Sequence, residues 1–466
     1  MSANDERRTP EASFPEELTG RGRPFLATAT HGPHMADVGW VEVELVAEGV
    51  AGSFVHAGEA GEDGRLELGP GPTAPYRTRV VVRRPADPGT FSGTVVVEWL
   101  NVSSGLDANP DWAFLSPELV RTGVAWVGVS AQCIGVEGGA VAVDPGGDTG
   151  AMAGTGLKGL DPDRYGTLHH PGDAFAYDIY TQVGAALRAG APAALGGLRV
   201  EQLLAIGESQ SAFALTTYVN GVHPEAWVYD GFLVHSRGRS GLPLGEAGTG
   251  ITGRRAVTGA PQRIRTDLDV PVMIVQTETD LLPVLGYAEA RQDDTDLIRL
   301  WEIAGTAHAD ASTLGPFASM VDCGVPINDG PQRFVMRAAL RHLVTWAAGD
   351  DAPPAAPRLS IDLGPDGARF PRDADGLARG GIRLPQVEVP VAALSGEPGP
   401  VDTLMCQLLG QTVAFTPERL TELYPSRDTY LRRYTEATDA AITAGFALAD
   451  DRDEILADAK PEIIPT

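Results

Sequence analysis

Apolar and polar positions alternate over Val41–Leu45 (VEVEL) and Tyr76–Arg83 (YRTRVVVR), the period of strands with one face turned to a core. Between them GEAGEDGRLELGPGPTAP reads as a turn-rich excursion. Thr94–Leu100 (TVVVEWL) and Val124–Ala131 (VAWVGVSA) are unbroken apolar runs of strand length, as expected of strands buried on both faces. A short helical stretch lies between them around Leu115–Arg121. Phe175, Ile179, Val183 and Leu187 recur about four positions apart, so Asp173–Arg188 is predicted helical. Leu198–Gly207 then leads through a turn into SAFALTTYVNG, a helix expected to end at Gly221. Ala226–Val234, Val270–Asp280 and Leu297–Ile303 are further strands, and Gln332–Ala347 is a long helix. Gly135–Gly159 reads as a long loop of the kind that shapes a site. Arg237–Thr266 reads as irregular.

Strands alternating with helices imply a mostly parallel sheet covered on both faces. The pattern thins after Asp350, where DAPPAAPRL marks a proline-rich boundary. Beyond it come extended pieces such as GGIRLPQVEVPVAAL and a helical stretch, Thr429–Ala444. The expected organisation is a flexible polar arm over 1–35, an α/β core over 36–350, and a C-terminal accessory or lid region over 351–466 packed on that core.

Charge narrows the partners. Asp and Glu total 62 against 36 for Lys and Arg, a formal net charge of −26, which repels phosphate backbones and anionic lipids. Neither nucleic acid nor a membrane is an expected partner. No apolar run approaches the ~20 residues of a spanning helix. The opening MSANDERRTPEASFPEELTGRGR has no apolar stretch of the signal-peptide kind. The three cysteines, Cys133, Cys323 and Cys406, form an odd, sparse set that argues against a disulfide framework and suits a reducing cytoplasm. With no C-x-x-C pair and no metal-ligand spacing, neither a metal nor a cofactor is expected.

The chemistry concentrates in LLAIGESQSAF, Leu203–Phe213. It sets Ser209 between an apolar run and a helical pattern, close to the G-x-S-x-G turn that holds the nucleophile of an α/β hydrolase. Ser211 stands where that signature has its last glycine. A serine hydroxyl needs an imidazole to take its proton and a carboxylate to orient and stabilise that imidazole. In this fold the order is Ser, Asp/Glu, His. Asp280 follows VPVMIVQTET and His308 follows RLWEI through AGTAH, so all three come just after strands and can meet at one sheet edge. Glu278 is the alternative acid. The bland reading of Ser209 or Ser211 is a helix cap. His169 and His170 precede the serine and do not fit the order, although His170 can line a pocket. His223 and His235 flank the next strand without an equally good acid. The oxyanion donors expected are the backbone N–H of Gln210 and one from the loop NVSSGLDANPDW, Asn101 ahead of Val102. Asn101-Val102-Ser103 also matches a glycosylation sequon. Trp99 and Trp112 are candidates for an acyl pocket, with core packing as their ordinary role.

YRTRVVVRRPADPGTFSGTVVVEWLNVSSG, AWVGVSAQ, DPDRYGTLHHPGDAFAYDIYTQ, GESQSAFALTTYVNGVHP, YDGFLVHSR, VQTETD and LYPSRDTYLRRY together resemble the large α/β hydrolase domain-containing proteins of bacteria, from about Tyr76 into the C-terminal region. The resemblance implies an α/β-hydrolase fold, with Ser209 as nucleophile and His308 as base. It also implies that Ser211 is an accepted variation. The expected activity is hydrolysis of a small carboxylic ester or lactone through an acyl-enzyme. The alternatives are an amidase, peptidase or acyltransferase with the same triad, and a non-catalytic binding protein on the same fold.

Overall fold

The structure, a computed structural model, describes residues 9–28, 32–58, 61, 63–144, 147–365 and 367–465. The chain divides into two compact units, Met1–Pro271 and Val272–Thr466.

In the first unit six strands form a sheet in the order β1-β2-β4-β3-β5-β6. They are β1 (Trp40–His56), β2 (Leu68–Pro85), β3 (Thr94–Trp99), β4 (Ala125–Val129), β5 (Gln202–Glu208) and β6 (Gly231–His235). β1, β2 and β4 pair antiparallel, while β4, β3, β5 and β6 run parallel. Every residue of those four parallel strands is buried, which is why their sequences run apolar without alternation. β1 and β2 are longer than their alternating cores. Their register runs from Trp40↔Pro85 to His56↔Leu68, with an irregularity between Gly52 and Phe54. The turn-rich excursion is correspondingly shorter, and its positions 59, 60 and 62 lie outside the described residues.

Three helices matter for the site: α1 (Pro110–Thr122), α2 (Ala176–Arg188) and α3 (Gln210–Thr217). Pro110 sits in the first turn of α1, where no N–H is needed, and Gly123 closes it at φ 68°. α3 does not stop at Gly221. It passes through a π turn, Tyr218–Val222, into a short helix, His223–Ala226. Gly221 is there for space: a Cβ would lie 2.7 Å from Leu68 Cδ1. Gly135–Gly159 is not a plain loop either. Cys133–Glu137 and Gly156–Leu160 are helical, and Val136 and Leu157 join Leu18, Val46, Tyr165 and Leu168 in a buried cluster. Its positions 145 and 146 lie outside the described residues.

The polar N-terminal stretch runs beside β1, with Ser13 and Glu17 bridging to Glu48 and Leu45. Ala12, Leu18 and Leu26 in this stretch are buried, and Phe14 and Phe25 are half-buried. Positions 1–8 and 29–31 of the expected arm lie outside the described residues.

The second unit holds the parallel pair β7 (Val272–Thr277) and β8 (Ile298–Ile303), in register from Val272↔Ile298 to Thr277↔Ile303. It also contains α4 (Gln332–Ala347) and α5 (Arg427–Thr443). The proline-rich stretch after Asp350 is a connection inside this unit. Trp301 Nε1 donates to Pro354 O at 2.9 Å, Leu359 N–H donates to Glu302 Oε2 at 2.8 Å, and Ile382 bridges to Ile303. Among the described residues no helix is long and apolar enough to cross a membrane.

The cysteine expectation is corrected here. Cys323 and Cys406, 83 positions apart, form a disulfide with Cα atoms 5.4 Å apart, beside buried Ile327 and Leu409. An odd count concealed one long-range pair plus one free thiol. Cys133 is that buried thiol, and burial, helped by Asp173 and Glu137, pushes it up to about 12. The bridge also removes the cysteine argument for a reducing compartment. Alkylation of unreduced, denatured protein should therefore label one cysteine, Cys133, and all three after reduction. C323S should lower stability by about 2–4 kcal/mol in chemical denaturation. Three labelled cysteines without reduction would count against the bridge.

Candidate active site

β5 delivers Ser209. Leu203 to Ile206 are wholly buried between β3 and β6, so the strand is fixed on both edges and both faces. The chain then reverses sharply: Ser209 has φ 57° and ψ −119°, one of three non-glycine residues with positive φ among those described. Such a backbone costs about 1–3 kcal/mol and persists only where its surroundings enforce it. Here Ser209 N–H donates to His235 O at the end of β6 (3.0 Å), and Ser209 O accepts from Phe213 N in the first turn of α3 (3.0 Å). The helix-cap reading fails: Ser209 makes no side-chain cap bond, and Ser211 Oγ is buried without a partner.

The position of Ser211 has a steric explanation. A Cβ on Gly207 would lie 2.9 Å from Ser211 Cβ and 3.1 Å from Leu215 Cδ1. Gly207 thus supplies the space that Ser211 occupies, where the G-x-S-x-G signature would place a second glycine.

Gln210 is the first residue of α3, so its backbone N–H has no intrahelical acceptor and lies at the positive end of the helix. Asn101 departs from expectation. Its backbone N–H donates to Ala108 O at 2.9 Å and is therefore unavailable to an oxyanion. Its side chain is a brace instead: Nδ2 donates to Glu208 O (3.0 Å) and Oε2 (3.2 Å), and Oδ1 accepts from Ser103 N (2.8 Å). That fastens the loop after β3 to the residue preceding Ser209. Val102 is the other candidate in this loop.

In the second unit Thr277 ends β7 and stands just before the short helix Glu278–Leu281. Asp280 is completely buried. Oδ2 accepts from Thr277 N at 2.6 Å and Oδ1 pairs with His308 Nδ1 at 2.7 Å. With Nδ1–H donating to Asp280, Nε2 is the ring nitrogen of a neutral His308 that can accept a proton. Glu278 is otherwise committed. It accepts from Gly305 N (2.6 Å), Gly396 N (3.0 Å) and Arg372 Nη2 (3.2 Å). Its partners are structural, and no histidine is among them in the described residues.

The remaining candidates are core groups. Trp99 is sealed against Tyr177 and Tyr180, and Trp112 against Trp40, Trp126 and the Arg83 guanidinium. Neither forms a pocket wall, because each indole is enclosed by aromatic neighbours. His170 is also no pocket residue. Nε2 lies 2.9 Å from Ala131 O and Nδ1 accepts from Gly172 N at 3.2 Å, which defines a neutral ring, and burial lowers its pKa.

Two further groups of residues were not chosen as site residues from the sequence. His235 Nδ1 pairs with Asp111 Oδ1 at 2.8 Å, both fully buried. Burial pushes the Asp111 carboxyl up to about 8, and burial with the Asp111 charge drives Glu98 well above the usual carboxylate range. Phe114 packs edge-on against the His235 ring. The second group is Gln132 and Asp173, both inside segments that carried the family resemblance. Gln210 Nε2 donates to Gln132 Oε1 (3.2 Å), and Gln132 Nε2 donates to Asp173 Oδ2 (3.0 Å). Among the described residues no group of three or more His, Cys, Asp or Glu side chains is arranged to hold a metal ion.

The model of an alpha/beta hydrolase domain matches residues 12–457. The chain belongs to that α/β hydrolase family. Comparison with curated proteins returns no match. Among solved structures, this α/β hydrolase is similar to a fungal esterase from Rhizomucor miehei (12% identity, 65% of this chain and 84% of that one, TM-score 0.33). It is also similar to an α/β serine hydrolase without a lid from Xanthomonas campestris (11% identity, 62% and 94%, TM-score 0.29). Such distant likenesses transfer no substrate to this hydrolase.

The contact between Gly207 and Ser211 gives a direct test of the turn. G207A should destabilise this α/β hydrolase by about 1–3 kcal/mol through overpacking. S211G in the same chain should recover part of that loss, and thermal unfolding of the four members of the cycle measures the coupling. Strict additivity would show that the two residues do not share the space.

Proposed function

We propose that this α/β hydrolase cleaves a carboxylic ester or lactone through an acyl-enzyme on Ser209, with His308 as base and Asp280 as the acid that orients it. The observation that carries the reading is the enforced positive-φ turn at Ser209, whose side chain does not cap its helix. The buried Asp280–His308 hydrogen bond supplies the other half of the chemistry. His235 is the weaker candidate, because its partner Asp111 precedes the serine in the chain, outside the Ser, acid, His order of this fold.

In the first step Ser209 Oγ attacks the substrate carbonyl as its proton passes to His308 Nε2. Negative charge develops on the carbonyl oxygen, where the backbone N–H groups of Gln210 and Val102 receive it. Asp280 stabilises the imidazolium. His308 then gives the proton to the departing alkoxide, the C–O bond breaks, and the alcohol leaves. Water attacks the acyl carbonyl with His308 again taking the proton, and the acid is released as Ser209 regains its hydrogen. Esters need less leaving-group assistance than amides, which favours them over peptide substrates.

A fluorophosphonate probe should label native protein at one site per chain, and S209A should abolish both labelling and hydrolysis of p-nitrophenyl acetate. Labelling without ester turnover, combined with peptide or acyl-transfer activity, points to the amidase or acyltransferase. A folded protein that does not label is a binding protein instead. Two carboxyl substitutions separate the acids. D280N should lower kcat by about 10³–10⁴-fold, as loss of the orienting carboxylate does. E278Q should keep kcat within about tenfold yet cost about 1–3 kcal/mol of stability through weakened buried hydrogen bonds. The reverse pattern in kinetics and unfolding assigns the role to Glu278.

A further inference from the structure

The segment Leu242–Gly253 falls in a region whose sequence reads as irregular, yet it is held as firmly as a core element. Leu242 N donates to Phe213 O at 2.9 Å, and Leu242 O accepts from Thr217 Oγ1 (2.6 Å) and Tyr177 OH (2.9 Å). Asp173, wholly enclosed, accepts from Ile251 N (2.7 Å), Cys133 N (2.7 Å) and Gln132 Nε2 (3.0 Å). Gly250 passes so close to the helix at Cys133 that a Cβ would stand 2.3 Å from Ile134 Cγ1. The decisive fastening is to the residue after the nucleophile. Gln210 Nε2 donates to Ile251 O (3.1 Å), and Gln210 Oε1 accepts from Gly253 N (2.9 Å). One side chain thus ties the segment to the turn whose backbone N–H is the proposed oxyanion donor.

The same segment walls a cavity of about 430 Å³ with His56, Leu244, Glu246, Thr249, Ile251 and Thr252 in its lining. Small-ligand pockets span roughly 300–1,000 Å³, so this one suits a compact molecule. Its chemistry is mixed. Leu244 and Ile251 supply apolar surface. The Thr249 and Thr252 hydroxyls have no hydrogen-bond partner among the described residues. Glu246 offers a carboxylate, and the lining contains no lysine or arginine to neutralise an anion. A long acyl chain would bury those hydroxyls unsatisfied, at a cost of about 1–3 kcal/mol each. An anionic arm would meet Glu246.

Resting on the ester-hydrolase reading, we infer that this cavity binds an uncharged, polyhydroxylated arm of the substrate ester, about the size of a monosaccharide. The threonine hydroxyls and Glu246 hydrogen-bond its hydroxyls, and Gln210 fixes the cavity wall relative to Ser209. Thr249 and Thr252 are then specificity-determining residues.

The test compares esters that differ only in hydroxyls. Methyl 6-O-acetyl-glucopyranoside is set against cyclohexylmethyl acetate for the alcohol side, and methyl gluconate against methyl hexanoate for the acyl side, with p-nitrophenyl acetate as the reference ester. In at least one pair kcat/KM should favour the hydroxylated ester about tenfold or more. In T249V/T252V that ratio should fall by about threefold or more. T249V alone serves if the double variant unfolds. Ratios near one in both pairs, with p-nitrophenyl acetate turned over, overturn the cavity assignment and leave the catalytic reading standing. A preference that survives the valine substitutions also overturns it. Failure with all five esters and with the fluorophosphonate sinks the catalytic reading, and this inference with it.

Discussion

The backbone reversal at Ser209 is the constraint around which the first unit is organised. A non-glycine residue at φ 57° is stable only if its neighbours hold it, and each neighbour here has a single job. β6 contributes one carbonyl, that of His235, to the Ser209 N–H. Gly207 gives up its side chain so that α3 can start immediately against the strand. Asn101 reaches across to the carbonyl of Glu208 and so ties the loop after β3 to the same turn. Removing the strain would be simple in chemical terms, since a glycine adopts this backbone freely. It would also remove the hydroxyl that the turn presents.

Buried charge performs the longer-range positioning. Arg79 on β2 is fully buried and paired with Glu44 and Asp107. Asp107 belongs to the loop after β3, so an ion pair in the sheet determines where that loop begins its return. Both partners pull the guanidinium pKa up against the opposing effect of burial, so the cation survives in the interior. Glu98, the penultimate residue of β3, accepts from the backbone N–H groups of Asp111 and Trp112 at the start of α1 and from Trp126 Nε1. A carboxyl in that location does for α1 what a capping side chain does at the surface. Breaking such a buried arrangement by removing one partner is costly even where the intact arrangement adds little net stability.

Much of this was legible in the sequence, for reasons that differ by element. The parallel strands were visible because burial on both faces leaves an unbroken apolar run, and Ser209, Asp280 and His308 could be singled out because each sits just beyond such a run. Asp280 and Glu278 are two positions apart and chemically alike, so only geometry separates them: one carboxylate reaches His308 and the other is saturated by two backbone N–H groups and Arg372. Asn101 was misread because a local bridge to Ala108 consumes its N–H, which periodicity does not reveal. The tryptophans were misread because an aromatic beside a motif looks the same whether it lines a pocket or fills a core. The disulfide was hidden by parity and by the 83 positions between its cysteines. The helix expected to end at Gly221 continues because that glycine is used for close packing against Leu68, and a glycine's two uses look identical in sequence.

Gln210 shows why the residue after the serine of such a motif need not be neutral filler. Its backbone must lie at the first position of α3, which gives it an N–H with no helical acceptor. Its side chain, amide at both ends, is saturated by Gln132, Ile251 and Gly253. A glutamine has donors and an acceptor on one planar group, so it can join segments that would otherwise compete for a single charge. Glutamate would lose the two donor bonds and lysine the acceptor, and each would bury an unpaired charge in the same space. Because backbone and side chain belong to one residue, any shift of Leu242–Gly253 is transmitted to the N–H beside Ser209 without an intermediate. On the proposed reading, substrate selection and transition-state stabilisation are linked at this position, and the amide is the side chain that permits the link.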